Sequence, residues 1–203
     1  TADPSYRIST SSWNGVECVG LVQEPHAAGW QGSGEFVAKI IKTYSENFGM
    51  FAYPKMTVAD AADGMEYPML TLCAGSEPGY RGLLWHEVGH NWFYGMVGSN
   101  ETYRAAMDEG FTQFINSFAM NKADGRYVIE SRPKSGYRKR FYEPSRPWDV
   151  RGYNAYLAAA MMGKELPLNT HSNGFNNALH HEGGYGMVYQ KTAVMLYNLQ
   201  YVL

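Results

Sequence analysis

Cysteine is scarce in this 203-residue sequence: Cys18 and Cys73 are the only two. They could pair or stay free, and buried free thiols are the expectation; so small a count leaves the redox compartment unread. Long apolar runs are missing as well. None approaches the ~20 residues needed to cross a bilayer, and no signal-peptide pattern is present. Charge is modest and balanced, with 18% charged residues and a formal net charge of −2, so there is no electrostatic case for nucleic acid or a membrane surface. A loose basic run (Lys134, Arg138, Lys139, Arg140, Arg146) lacks the aromatic platform of a nucleic-acid binder and reads as solvated surface. The glycine-rich stretch from Gly29 to Gly34 has no phosphate-loop lysine and reads as a turn. There is no internal repeat and no low-complexity tract.

What is present converges on His86-Glu87-Val88-Gly89-His90, followed eighteen intervening residues later by Glu109. Residues four apart share a helix face, so His86 and His90 can aim imidazole nitrogens at one point. Two imidazoles and one carboxylate leave the fourth position of a tetrahedral zinc site open, which catalytic sites need and structural sites avoid. Glu87 is then placed to take a proton from a water that the metal activates. With six histidines in the chain, chance alone produces H-E-x-x-H in about 1% of such sequences.

Periodicity places the other elements. Residues 1–22 alternate loosely and read as one or two strands. Val37, Ile40, Ile41, Tyr44 and Phe48 mark a helix that Gly49 closes. Met56 to Ala59 reads as a strand, and Glu66 to Cys73 as another, with Pro68 assigning it to a sheet edge, where an extended peptide could pair. The histidine helix is expected from about Arg81 to Tyr94. Its apolar residues surround it, so it must be buried, and Gly89 within it implies a closely crossing element. A helix from about Tyr103 to Met120 carries a stripe of Phe111, Phe114, Ile115 and Phe118. Its separate polar face of Glu109, Thr112, Gln113 and Asn116 can look inward. Ala155 to Met162 reads as a short helix. Residues 166–184 form a long connection whose His171, His180 and His181 lack i+4 spacing and are not expected as ligands. A last helix holds Tyr189, Thr192, Ala193 and Leu196.

Four segments resemble the gluzincin aminopeptidases, the family of aminopeptidase N and leukotriene hydrolase. Asp63-Gly64-Met65-Glu66-Tyr67 is similar to the family's G-x-M-E-N motif. His86 to His90 with Trp92-Phe93 is similar to H-E-x-x-H-x-W-F, Asp108-Glu109-Gly110-Phe111 to N-E-G-F, and Tyr189-Gln190-Lys191-Thr192 to Y-x-K-G. They run in the family's order. Asp63, Tyr67, Asp108 and Thr192 depart from the motifs, standing where the family has Gly, Asn, Asn and Gly.

The resemblance implies an α+β, thermolysin-like zinc metallopeptidase domain: a small mixed sheet with an edge strand at the cleft and a mainly helical half. It implies one zinc per chain on His86, His90 and Glu109, with Glu87 and Tyr189 catalytic, Tyr185 being the nearest rival for the tyrosine's role. Glu66, Met65 and Gly64 would bind substrate, with Glu66 on the free amino terminus, and Asp108 would support a ligand from behind. The expected activity is removal of N-terminal residues from peptides. A zinc endopeptidase, an epoxide hydrolase and a non-catalytic zinc-containing module remain alternatives. The whole of 1–203 is expected to be one catalytic domain, β-rich with one helix over 1–79 and mainly helical over 80–203. It should be a fragment of a longer chain whose N-terminal β domain and C-terminal helical part are its natural partners.

Overall fold

The computed structural model describes residues 4–77, 79–123, 136, 147–175 and 186–203. The basic run from Lys134 to Arg146, together with His180, His181 and Tyr185, lies outside them. The chain opens with a hairpin, β1 (Arg7–Trp13) and β2 (Val16–Val22), in antiparallel register from Arg7↔Val22 to Trp13↔Val16. Its turn is Asn14-Gly15, and both residues have positive φ (48° and 82°). That is the two-residue turn whose twist matches paired strands. After a 3-10 helix (Glu24–Trp30), α1 (Ser33–Phe48) crosses back over the sheet. The stretch read as a glycine-rich turn is thus largely the end of one helix and the start of the next. Val37, Ile40, Ile41 and Tyr44 bury the apolar stripe of α1, and Gly49 at φ 112° ends it.

The crossover delivers β3 (Lys55–Asp60), parallel to β2, and β3 in turn pairs in parallel with β5 (Leu70–Cys73). β4 (Met65–Tyr67) pairs antiparallel with β5 and forms one edge of the five-stranded mixed sheet, whose order is β1-β2-β3-β5-β4. The expected single strand over Glu66 to Cys73 is therefore a tight hairpin. Pro68 and Met69 form its turn, and Met69 sits at φ 61°. Proline followed by a residue of positive φ is a two-residue reversal, which period-two hydrophobicity does not register.

The second half is helical. α2 (Arg81–Gly89) is followed by turns and a π-helical turn (Ala106–Gly110), then α3 (Phe111–Ala123), α4 (Pro147–Met161) and α5 (Gly186–Val202). α2 ends five residues earlier than its hydrophobicity predicts, because the carbonyls of Val88 and Gly89 are taken up by tight-turn bonds from Asn91 and Trp92. α4 starts eight residues earlier than predicted, with Pro147 in the first turn, where a missing N–H costs nothing.

One core joins the sheet to the helices. Trp30, Tyr44, Met56, Tyr80, Leu84, Trp85 and Ile115 are fully or almost fully buried in it. Rings interlock there, Tyr44 standing edge-on to Trp85 at 5.3 Å and Phe36 to Trp85 at 5.9 Å. Cys18 and Cys73 are free buried thiols in this core; burial pushes them up to about 11 and about 12, which keeps them as inert packing groups. Lower down, α5 locks onto the π-turn. A Cβ on Gly110 would lie 2.1 Å from Thr192 Cβ, so the glycine is the hole into which the threonine fits. No helix among the described residues is long and apolar enough to cross a membrane.

Candidate active site

The histidine helix is held by its surroundings as much as by its own ladder. Tyr44 Oη donates to the Trp85 carbonyl (2.6 Å), and Thr71 Oγ1 donates to the Glu87 carbonyl (3.1 Å). These bonds tie α2 to α1 on one side and to β5 on the other. Gly89 allows the third contact. A Cβ there would come within 3.1 Å of Thr112 and 3.3 Å of the Tyr44 hydroxyl, so α3 and α1 do crowd this turn of helix. His86 and Glu87 lie in the last turns of α2, and His90 is its C-terminal cap in helical conformation. The i, i+4 relation is preserved, and the two imidazole rings face each other edge-on with centroids 4.7 Å apart.

Asp108 and Glu109 arrive on the π-turn, all but one of whose residues are buried. Such a turn widens the helix by one residue and re-aims the side chains it carries; π-turns recur at functional sites for that reason. Here they aim at the histidines. Glu109 Oε2 stands 3.1 Å from His86 Nε2 and 3.4 Å from His90 Nε2. Nitrogen and oxygen ligands held tetrahedrally at 2.0–2.1 Å from a common zinc are about 3.3 Å apart along each edge. The trio therefore has the dimensions of three corners of such a site. His90 Nδ1–H donates to Asp108 Oδ1, which fixes the ring and leaves Nε2 facing inward, the arrangement that orients metal-binding imidazoles.

Electrostatics point the same way. Burial works against charge on His90, but Asp108 and Glu109 outweigh it and push the imidazole up to about 10. His86 is lowered, chiefly by burial. Burial alone would raise Glu109, yet the bonds to His86 and His90 hold it well below the usual carboxylate range. Converging carboxylates around two imidazole nitrogens form a donor set that a divalent cation would satisfy.

Around this trio lies an open cavity of about 480 Å³. Its lining brings together Gly64, Glu66, His86, Glu87, His90, Glu109 and Tyr189 from five separate parts of the chain. Oxygen atoms of Glu66 and Glu87 and a nitrogen of His90 lie within 4.8 Å of one another. Glu87 is raised to about 8, mainly by burial, with Glu66 and Glu109 pushing the same way and His90 opposing. Its Oε2 is buried and has no hydrogen-bond partner. Glu66 is also raised, again first by burial. Gly64 presses its backbone against this base: a Cβ there would fall 2.3 Å from Glu87 Oε1. Tyr189 Oη donates to Glu109 Oε1 at 2.6 Å, and its ring lies 5.7 Å from that of His86.

Met65 and Tyr67 flank Glu66 on the exposed side of β4 and do not line the cavity, because successive strand residues face opposite ways. His171 is elsewhere, stacked on Tyr103 at 4.9 Å. Periodicity gave no sign of three supporting contacts: Tyr44 on α2, Thr71 on α2, and the Asn91 carboxamide. That carboxamide accepts the Met69 N–H at 3.0 Å and so pins the β4–β5 turn to the end of the histidine helix. Gln113 and Asn116 also line the cavity. Their signal was the polar face of α3.

No family model matches the chain, and no curated protein matches it in sequence. Among solved structures, the chain is similar to native yeast LTA4 hydrolase, with a TM-score of 0.64 at 14% identity over 97% of this chain. The likeness is one of fold. The chain spans 30% of the length of that structure.

Proposed function

We propose that this chain is the catalytic domain of a zinc aminopeptidase, α+β and thermolysin-like, and a piece of a longer protein whose other domains are its partners. One observation carries the reading: Glu66 and Glu87 each bring a carboxylate oxygen within 4.8 Å of a His90 nitrogen, beside the His86–His90–Glu109 trio. The α-ammonium of a peptide is two bonds from the first carbonyl carbon. A carboxylate that selects for a free amino terminus must therefore stand immediately beside the group that activates that carbonyl, as Glu66 does. The likeness in fold to LTA4 hydrolase supports the same class of architecture.

His86, His90 and Glu109 would hold the zinc, which supplies Lewis acidity to the scissile carbonyl and lowers the pKa of a water. Glu87, with its orphaned Oε2, accepts a proton from the attacking water and returns it to the leaving amine. Tyr189, at the edge of the ligand set, donates its hydroxyl hydrogen toward the oxygen charge that develops in the transition state. Glu66 holds the α-ammonium and fixes the register of the peptide. Asp108 keeps the His90 ring in place. The test is hydrolysis of matched free-amine and N-acetylated peptides, with and without chelator. Free-amine cleavage that the chelator abolishes is expected; equal cleavage of acetylated peptides would refute the aminopeptidase assignment while leaving a zinc hydrolase.

A further inference from the structure

The cavity continues past the histidines. β4 and the turn after it run alongside α2 in the same direction: Gly64 lies against Leu83 and Glu87, and Met69 is bonded to Asn91. Glu66 therefore stands at the His90 end of the cleft. α3 runs back along α2, with Thr112 near His90 and Asn116 reaching the Gly82 carbonyl. The opposite end of the cleft is formed by Gly82, Leu83, Gln113 and Asn116. On a helix Glu109, Gln113 and Asn116 share a face, and Asn116 is about 10 Å along the axis from Glu109. That is the distance from a scissile carbonyl to the far side of the next residue.

Asn116 is 5% exposed, and its carboxamide is only half used. Nδ2 faces the Gly82 carbonyl at 3.5 Å, an orientation that only the NH2 can adopt against an acceptor. Oδ1 is then left buried without a partner. A buried acceptor with no donor is costly, and a ligand that supplies one recovers that cost. Gln113 is half-buried one helical turn nearer the histidines and presents a second carboxamide to the same space.

We infer that Gln113 and Asn116 form a subsite for the residue that follows the cleaved bond, and that it takes neutral side chains bearing an N–H or O–H donor: Asn, Gln, Ser or Thr. The inference rests on the aminopeptidase reading for the direction of the peptide. Two uncharged carboxamides satisfy such a side chain without an ion to balance, whereas an isosteric apolar chain leaves Asn116 Oδ1 unpaired. The subsite is a matter of selectivity and takes no part in the bond-breaking step.

The test compares Ala-Gln-amide with Ala-Met-amide, whose side chains are close in volume. Wild type should prefer the glutamine peptide by about tenfold or more in kcat/KM, the usual consequence of leaving a buried polar group unpaired. Gln113→Met and Asn116→Leu should each shrink that ratio toward unity. Metal content and thermal melting identify any variant that fails to fold, and Gln113, being half-exposed, is the safer of the two. A wild-type ratio near one, or a ratio that neither folded variant changes, overturns the subsite and leaves the aminopeptidase reading intact. If neither peptide is cleaved, the aminopeptidase reading fails instead. The subsite is then decided by the dissociation constants of the two peptides, measured by calorimetry on the intact chain: a tenfold difference lost in Gln113→Met supports it, and equal binding overturns it.

Discussion

At the scale of single residues, the two glutamates nearest the histidines have separable duties. Glu109 completes the ligand trio, while Glu87 faces the cavity with one oxygen unbonded. Glu87→Gln keeps shape and burial but cannot accept a proton, so metal content should stay near stoichiometric while turnover falls about 10³-fold or more. Glu109→Ala should lose metal and turnover together, as elemental analysis would show. Equal metal loss in both variants would contradict the assignment of roles. Tyr189→Phe removes a hydroxyl that bonds Glu109 Oε1 and, in the proposed reaction, the developing oxyanion. Turnover should drop about 10²–10³-fold with little change in peptide affinity, because the second contact exists only in the transition state. Gly64→Ala tests the base from another direction. The new methyl would occupy the place of Glu87 Oε1, so the carboxylate must swing away and activity should fall without loss of thermal stability.

At the scale of elements, the loop after α2 does more than connect. Asn91 is almost fully buried and bonds both Val88 and Met69, so the strand bearing Glu66 is fastened to the helix bearing His90. Asn91→Leu preserves volume and removes the fastening. The expected result is a selective rise in KM for free-amine peptides, with metal binding retained; a uniform loss on all substrates would show a merely structural role. This device also marks the limit of what the sequence conveys. His86, Glu87 and His90 were legible because their relation is local, one turn of one helix, and α1 was legible because five apolar residues keep its period. The β4–β5 hairpin was read as one strand because its four apolar residues after the turn continue the run before it. The π-turn left no trace in the pattern either, since a single extra residue in a helix does not disturb a hydrophobic stripe that begins only at Phe111. Which residue fits against Gly110, and which carboxamide reaches Met69, are facts of long-range packing that no window of neighbouring residues contains.

At the scale of the whole molecule, the metal and the fold should be coupled. The ligands come from α2 and from the π-turn, which α3 and α5 hold in place, so a cation bound there bridges parts of the chain that otherwise meet only by packing. Zinc at about a thousand times its dissociation constant would add about 4 kcal/mol, which for a chain of this length raises the melting temperature by about 10 °C. Chelator should reverse that shift in a calorimetric scan. The coupling also has a pH signature. His90 is pushed up to about 10 by its carboxylate neighbours, so near neutrality it carries a proton that a metal must displace. Affinity should accordingly strengthen about tenfold per pH unit between pH 7 and 9 and weaken on acidification, with at least one proton released per metal in buffers of different ionisation heat. The seat of Thr192 in Gly110 has a different kind of consequence. Because Cβ would meet Cβ at 2.1 Å, Thr192→Ala cannot make room for a side chain at position 110, and only Thr192→Gly can. The two positions are therefore bound to a shared history: among descendants of this chain, position 110 can gain a side chain only in a lineage that has already given up the one at 192, and the order of those two steps is fixed.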